Sequence, residues 1–134
     1  MQHLANVLRG YHDKARQEVQ DNLPGLWERG KDRSVWLEYN GPDCAAFKAY
    51  IRFAHDKIVY ANIIGLANDG APPSRRGRMP VLIAAALAVS PRVVIESVIN
   101  SELEMFLLAN DFVDMSPEEP HTFYKDRDNG EAPA

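Results

Sequence analysis

Apolar residues recur every three to four positions at the start of the chain. Leu4, Val7, Leu8, Tyr11, Ala15 and Val19 fall on one side of a helix over residues 3–22, and Arg9, Asp13, Lys14, Arg16 and Gln17 fill the other. Gly10 weakens this helix, and Pro24-Gly25 ends it. The period then shortens to two. Ser34–Tyr39 carries β-branched and aromatic residues and stops at Asn40-Gly41-Pro42, which predicts a short strand. Between Cys44 and Phe53, the residues Phe47, Ala49, Ile51 and Phe53 alternate with Lys48, Tyr50, Arg52 and Ala54. Ala45-Ala46-Phe47 would also suit the start of a helix, but the sustained alternation decides for a strand. His55-Asp56-Lys57 is a tight polar connection, with His55 solvated at its tip. Ile58–Leu66 is then the second arm of a hairpin, apolar enough to be central in a sheet. Gly65 within that arm predicts a bulge or a close backbone approach.

A turn-rich loop, Asn68–Ser74, is stiffened by Pro72-Pro73. The basic run Ser74-Arg75-Arg76-Gly77-Arg78 leads into an apolar helix, Met79–Val89. A Pro-containing turn, a buried strand over Val93–Val98, and a second helix opening at Asn100 and closing on Asn110-Asp111-Phe112 follow. By spacing, Val81, Leu82, Ala85, Ala86 and Val89 are core positions, and Asn100 suits a helix N-cap with Leu103 and Phe106 facing inward. Two short strands, Phe112–Met115 and His121–Lys125, complete residues 1–125 as one domain, and residues 126–134 form a polar tail. The order predicts a mixed α/β fold, a mostly antiparallel sheet with flanking helices and one right-handed β-α-β crossover.

Composition narrows the function classes. At 134 residues the chain is one domain, long enough to bury a core without disulfides or metal. No run approaches the roughly 18 apolar residues of a membrane span, and the start lacks a basic-then-apolar leader, so a cytoplasmic protein is expected. Cys44 is the single cysteine and reads as a small core residue. His3 and His12 do not share a metal-binding spacing and read as surface histidines; no metal site is expected. No Gly-x-Ser-x-Gly elbow is present. Residues 1–90 carry 12 Lys/Arg against 9 Asp/Glu, whereas residues 91–134 carry 3 against 10. The acidic last third argues against nucleic-acid binding, which needs clustered cations. The tight cationic cluster is Arg75, Arg76 and Arg78, placed where a helix start also favours an anion.

The order of elements and two motifs resemble the GNAT superfamily of N-acetyltransferases over roughly residues 45 to 125. In that family a pyrophosphate loop, Arg/Gln-x-x-Gly-x-Gly/Ala, precedes a helix; here Arg76-Gly77-Arg78-Met79-Pro80-Val81 aligns with it. A second motif, Asn-x-x-Ala-x-x-x-Tyr-x-x-x-Gly-Phe, aligns without a gap as Asn100, Leu103, Leu107, Asp111 and Phe112. The resemblance implies an acyl-CoA-dependent N-acyltransferase with acetyl-CoA as cofactor and an amine as acceptor. Arg75, Arg76, Gly77, Arg78, Met79 and Val81 would lie at the pyrophosphate. Asn100 would bond the pantetheine arm, and the thioester would sit where the two central strands splay. Met79 and Val81 stand where the family carries glycines, and Leu107 stands in place of its Tyr acid, so that Tyr60 or Tyr124 would have to serve; Asp111 can still take the turn conformation. Small members with eroded motifs resemble ones that bacteriophages encode, some virion-associated and some directed at host proteins. That implies a second reading: a non-catalytic protein whose acidic last third (Asp114, Glu118, Glu119, Asp126, Asp128, Glu131) meets a basic protein partner.

Overall fold

A computed structural model describes residues 2–66 and 77–128. It contains α1 (Gln2–Asn22), β1 (Arg33–Tyr39), β2 (Phe47–Phe53), β3 (Ile58–Gly65), α2 (Arg78–Val89), β4 (Arg92–Ile95), α3 (Ser101–Ala109), β5 (Val113–Asp114) and β6 (Phe123–Asp126). The strands form one mixed sheet in the order β1-β2-β3-β4-β6-β5. Neighbours are antiparallel except β3 and β4, which run parallel and are joined through α2. The mixed α/β class with a mostly antiparallel sheet is therefore as expected.

The core follows from the two periodicities. Strand β2 buries Phe47, Ala49, Ile51 and Phe53 completely and leaves Lys48, Tyr50 and Arg52 half-exposed on the opposite face. Helix α1 buries Leu4, Leu8, Ala15 and Val19, as its apolar stripe requires, and packs against α2. Helix α2 is apolar nearly all round, and such a helix is stable only when enclosed; it buries Met79, Leu82, Ile83, Ala85, Ala86 and Leu87. Each large side chain so enclosed contributes about 1.5–3 kcal/mol of transfer free energy.

Several expectations need correction. His12 is not a surface residue. It is half-buried, with Nε2 3.1 Å from the Ala54 carbonyl and its ring edge-on to Trp27 and Phe53. Burial lowers its pKa below that of a free imidazole, against a partly opposing contact with Ala54. His3, by contrast, is exposed as expected, with Nδ1 3.0 Å from the Tyr39 hydroxyl. Trp27, in the connection after α1, is buried at the other edge of His12, a role its loop position does not announce. Strand β4 ends at Ile95, three residues before the expected Val98, because Ser97 adopts a left-handed φ of 59°. Val98 stays buried, but its N–H donates to the carbonyl of His121. At the other end, the sheet runs past residue 125. Asp126 pairs with Arg92 in β4 through two hydrogen bonds of 2.6 and 3.0 Å, and Arg127 donates to the Leu87 carbonyl.

Candidate functional site: a cleft between the central strands

The parallel pair β3/β4 is joined over only three residue pairs, Ile58↔Val93, Val59↔Val94 and Tyr60↔Ile95, closed by the Glu96 N–H donating to the Tyr60 carbonyl at 3.0 Å. One residue later β3 bulges. Tyr60 lies opposite Ile51 and Asn62 opposite Tyr50, which leaves Ala61 as the extra residue. A bulge bends its strand and sharpens its twist, so β3 turns away from β4 where the left-handed Ser97 turns β4 the other way. The strands part, and a cleft of about 230 Å³ opens between them. Its walls are Tyr60, Ala61, Asn62 and Ile63 from β3, Ile95, Glu96 and Ser97 from the end of β4, Met79 from α2, and Asn100 and Leu103 at the start of α3. Beyond Tyr60, no strand among the described residues pairs with this edge of β3. Among the described residues, the backbone N–H and C=O groups of this edge are left without a strand partner.

The structure brings together only some of the residues singled out from sequence. Met79 and Asn100 both line the cleft. Asn100 also caps α3: its Oδ1 accepts from the N–H of Glu102 at 2.8 Å and of Leu103 at 3.1 Å. Gly77 precedes α2 with φ 70°, a conformation glycine takes without strain, and no side chain among the described residues caps the helix there. Among the described residues, the first-turn N–H groups of α2 have no side-chain cap, and Pro80 contributes none. Val81 is half-buried and packs against the core, as its spacing predicts. Arg78 stands elsewhere than expected, not on an open loop but 1% exposed. Its Nε donates to the carbonyls of Ala45 and Ala46 at 3.2 and 3.0 Å, which ties the start of α2 to the start of β2. Its Nη2 is buried and finds no hydrogen-bond partner among the described residues. Arg75, Arg76 and the loop 68–74 lie outside the described residues.

The second motif behaves as its residues dictate. Leu103 reaches the cleft, Leu107 is fully buried, and Asp111 adopts φ 68° to close α3 before the buried Phe112. Leu107 is thus a core residue, and neither tyrosine replaces the acid it lacks. Tyr60 is buried beneath the cleft with its hydroxyl donating to the Leu82 carbonyl at 3.2 Å, and burial pushes its pKa far above that of a free phenol. Tyr124 lies on β6 under the guanidinium of Arg92, 4.1 Å from its ring, and does not line the cleft.

Sequence reading missed Glu96, the single acidic side chain among the described cleft residues. Its Oε2 accepts from Arg52 Nη2 at 2.8 Å, across β3. The available signal was an acid ending an otherwise apolar strand run, Val93-Val94-Ile95-Glu96. Cys44 is half-buried and is not among the cleft residues; burial raises its thiol pKa, with Arg78 opposing, which suits a core residue rather than a nucleophile. Among the described residues no cluster of His, Cys, Asp and Glu could hold a metal ion, and no helix is long and apolar enough to cross a membrane. No protein-family model, curated protein or solved structure matches this chain.

Proposed function

We propose that the protein has a GNAT-like fold, takes an acyl-CoA thioester in the β3/β4 cleft and passes the acyl group to an amine. The observation that carries this reading is the parting of the parallel pair β3/β4 at the Ala61 bulge, which bares an edge of β3 beside the start of α2. A pantetheine arm suits that edge chemically. It is an extended chain with amide N–H and C=O groups, and it bonds to a free strand edge as an added strand does. The first turn of α2 offers the N–H groups of Arg78, Met79 and Val81 with the positive end of the helix dipole. At about 230 Å³ the cleft is smaller than the ~300–1,000 Å³ of sites that enclose a whole ligand, so it suits the thioester end of the arm, with the nucleotide outside. The Asn100-to-Phe112 register supports the same assignment.

Bound there, acyl-CoA supplies an activated carbonyl. The chain supplies Glu96. Arg52 holds one carboxylate oxygen and leaves the other, Oε1, to take a proton from the incoming ammonium, because only the neutral amine attacks. An N–C bond then forms, the C–S bond breaks, and the second amine proton leaves with the thiolate. Isothermal titration with acetyl-CoA tests the reading. Wild type binds, and Ala61→Tyr, which fills the cleft, does not; absence of heat at about millimolar cofactor, a Kd worth only about −4 kcal/mol, would end it. In a binding-competent protein, Glu96→Gln lowers turnover over an amine panel roughly 10²–10⁴-fold with cofactor affinity unchanged. A second reading, a non-catalytic protein on the same fold, is favoured by one observation: Tyr60 and Leu107 leave the cleft without a tyrosine acid. Cofactor binding without turnover of any amine would select it.

A further inference from the structure

We propose that the outer face of α3 is a docking surface for a cationic, amphipathic segment of a protein partner. Helix α3 turns Leu103, Phe106 and Leu107 inward. A surface helix normally presents polar residues on its other side, yet here that side carries Met105 and Leu108, three residues apart on one face and 71% and 50% exposed, with the exposed Ala109 beside them. Ile99, just ahead of the cap, is 85% exposed, and Val113, just past the helix on the terminal strand of the sheet, is 47% exposed. A single exposed Leu needs no explanation, whereas a helix whose solvent face is apolar at Met105, Leu108 and Ala109 reads as an interaction site.

Charge specifies the occupant. At 100° per residue, Glu102 and Glu104 stand on either side of the Met105–Leu108 strip. From Ser97 to Tyr124 the chain carries Glu102, Glu104, Asp111, Asp114, Glu118 and Glu119 and no Lys or Arg. An apolar strip inside an acidic rim complements a segment with apolar residues at i, i+3 or i+4 and Lys or Arg beside them. The same rim repels nucleic acid and anionic lipid. The surface is distinct from the cleft, which uses Asn100 and Leu103.

The test is selection of a random displayed-peptide library on the whole protein, counter-selected on the double variant Met105→Asp/Leu108→Asp. Circular dichroism and the urea midpoint verify that the variant folds, as these exposed positions allow. Enriched peptides are expected to carry Lys or Arg around helically spaced apolar residues. By fluorescence anisotropy they should bind the variant at least tenfold more weakly, and wild type more weakly at about 300 mM than at about 50 mM salt. Three results overturn the proposal: no enrichment, enriched peptides that lack cationic residues, or equal affinity for wild type and variant. So does concentration-dependent dimerisation of the wild type, by sedimentation, that the double variant abolishes, since a second copy would then own the face.

Discussion

Arg78 decides between a ligand-loop and a framework role for the start of α2, and its contact with Gly65 makes the choice measurable. Its guanidinium is enclosed, and one N–H is shared by the carbonyls of Ala45 and Ala46. A Cβ added at Gly65 would meet Nη1 at 3.0 Å, Cζ at 3.1 Å and Nη2 at 3.2 Å, so the pinned guanidinium would have to yield by tenths of an ångström. Arg78→Met keeps the length of the stem but removes the donor. A charge-assisted bond of about 1.5–3 kcal/mol is lost, partly offset by relief of the orphaned Nη2, for a net loss of ~1–3 kcal/mol. Gly65→Ala in the wild type combines an entropic gain of about 0.4–1 kcal/mol with a crowding cost of about 1–3 kcal/mol, and so destabilises. In the Arg78→Met background the flexible thioether gives way, the crowding cost vanishes and the same substitution stabilises. The coupling is ~1–3 kcal/mol, read from urea midpoints at constant m-value across the four proteins. Additivity to within about 0.5 kcal/mol would falsify the clamp and return Arg78 to the surface.

Two further outcomes follow from single contacts. Asn100→Ala removes the α3 cap and costs about 0.5–2 kcal/mol, whereas Asn100→Asp keeps an acceptor oxygen and most of the stability; equal urea midpoints for all three would sink the cap. Burial lowers the His12 pKa below its ordinary 6.5, so the unfolded chain takes up the proton first as pH falls. The associated stability is full above about pH 6.5 and is lost as pH falls toward the folded pKa. His12→Gln should flatten that slope between about pH 7.5 and about pH 5.5 in denaturant titrations, and an unchanged slope would assign it to another group.

Local chemistry in the chain determined most of the elements. The 3.6-residue stripe of α1, the strict alternation of β2, the Asn100 cap and the left-handed Asp111 all depend on neighbours within a turn, and all are found as the residues dictate. Gly65 likewise signalled a close approach, though not that Arg78 makes it. What only tertiary structure decided are pairings across long stretches of chain. Arg52 meets Glu96, His12 meets Ala54 and Trp27, and Arg78 reaches back to Ala45 and Ala46. The length of β4 and the Ala61 bulge belong here too, because each depends on what the adjacent strand does. The cleft exists because two strands stop pairing at the same level of the sheet. A residue's own period cannot encode that event, since the free energy that sets it is shared between segments that meet only after the chain has folded.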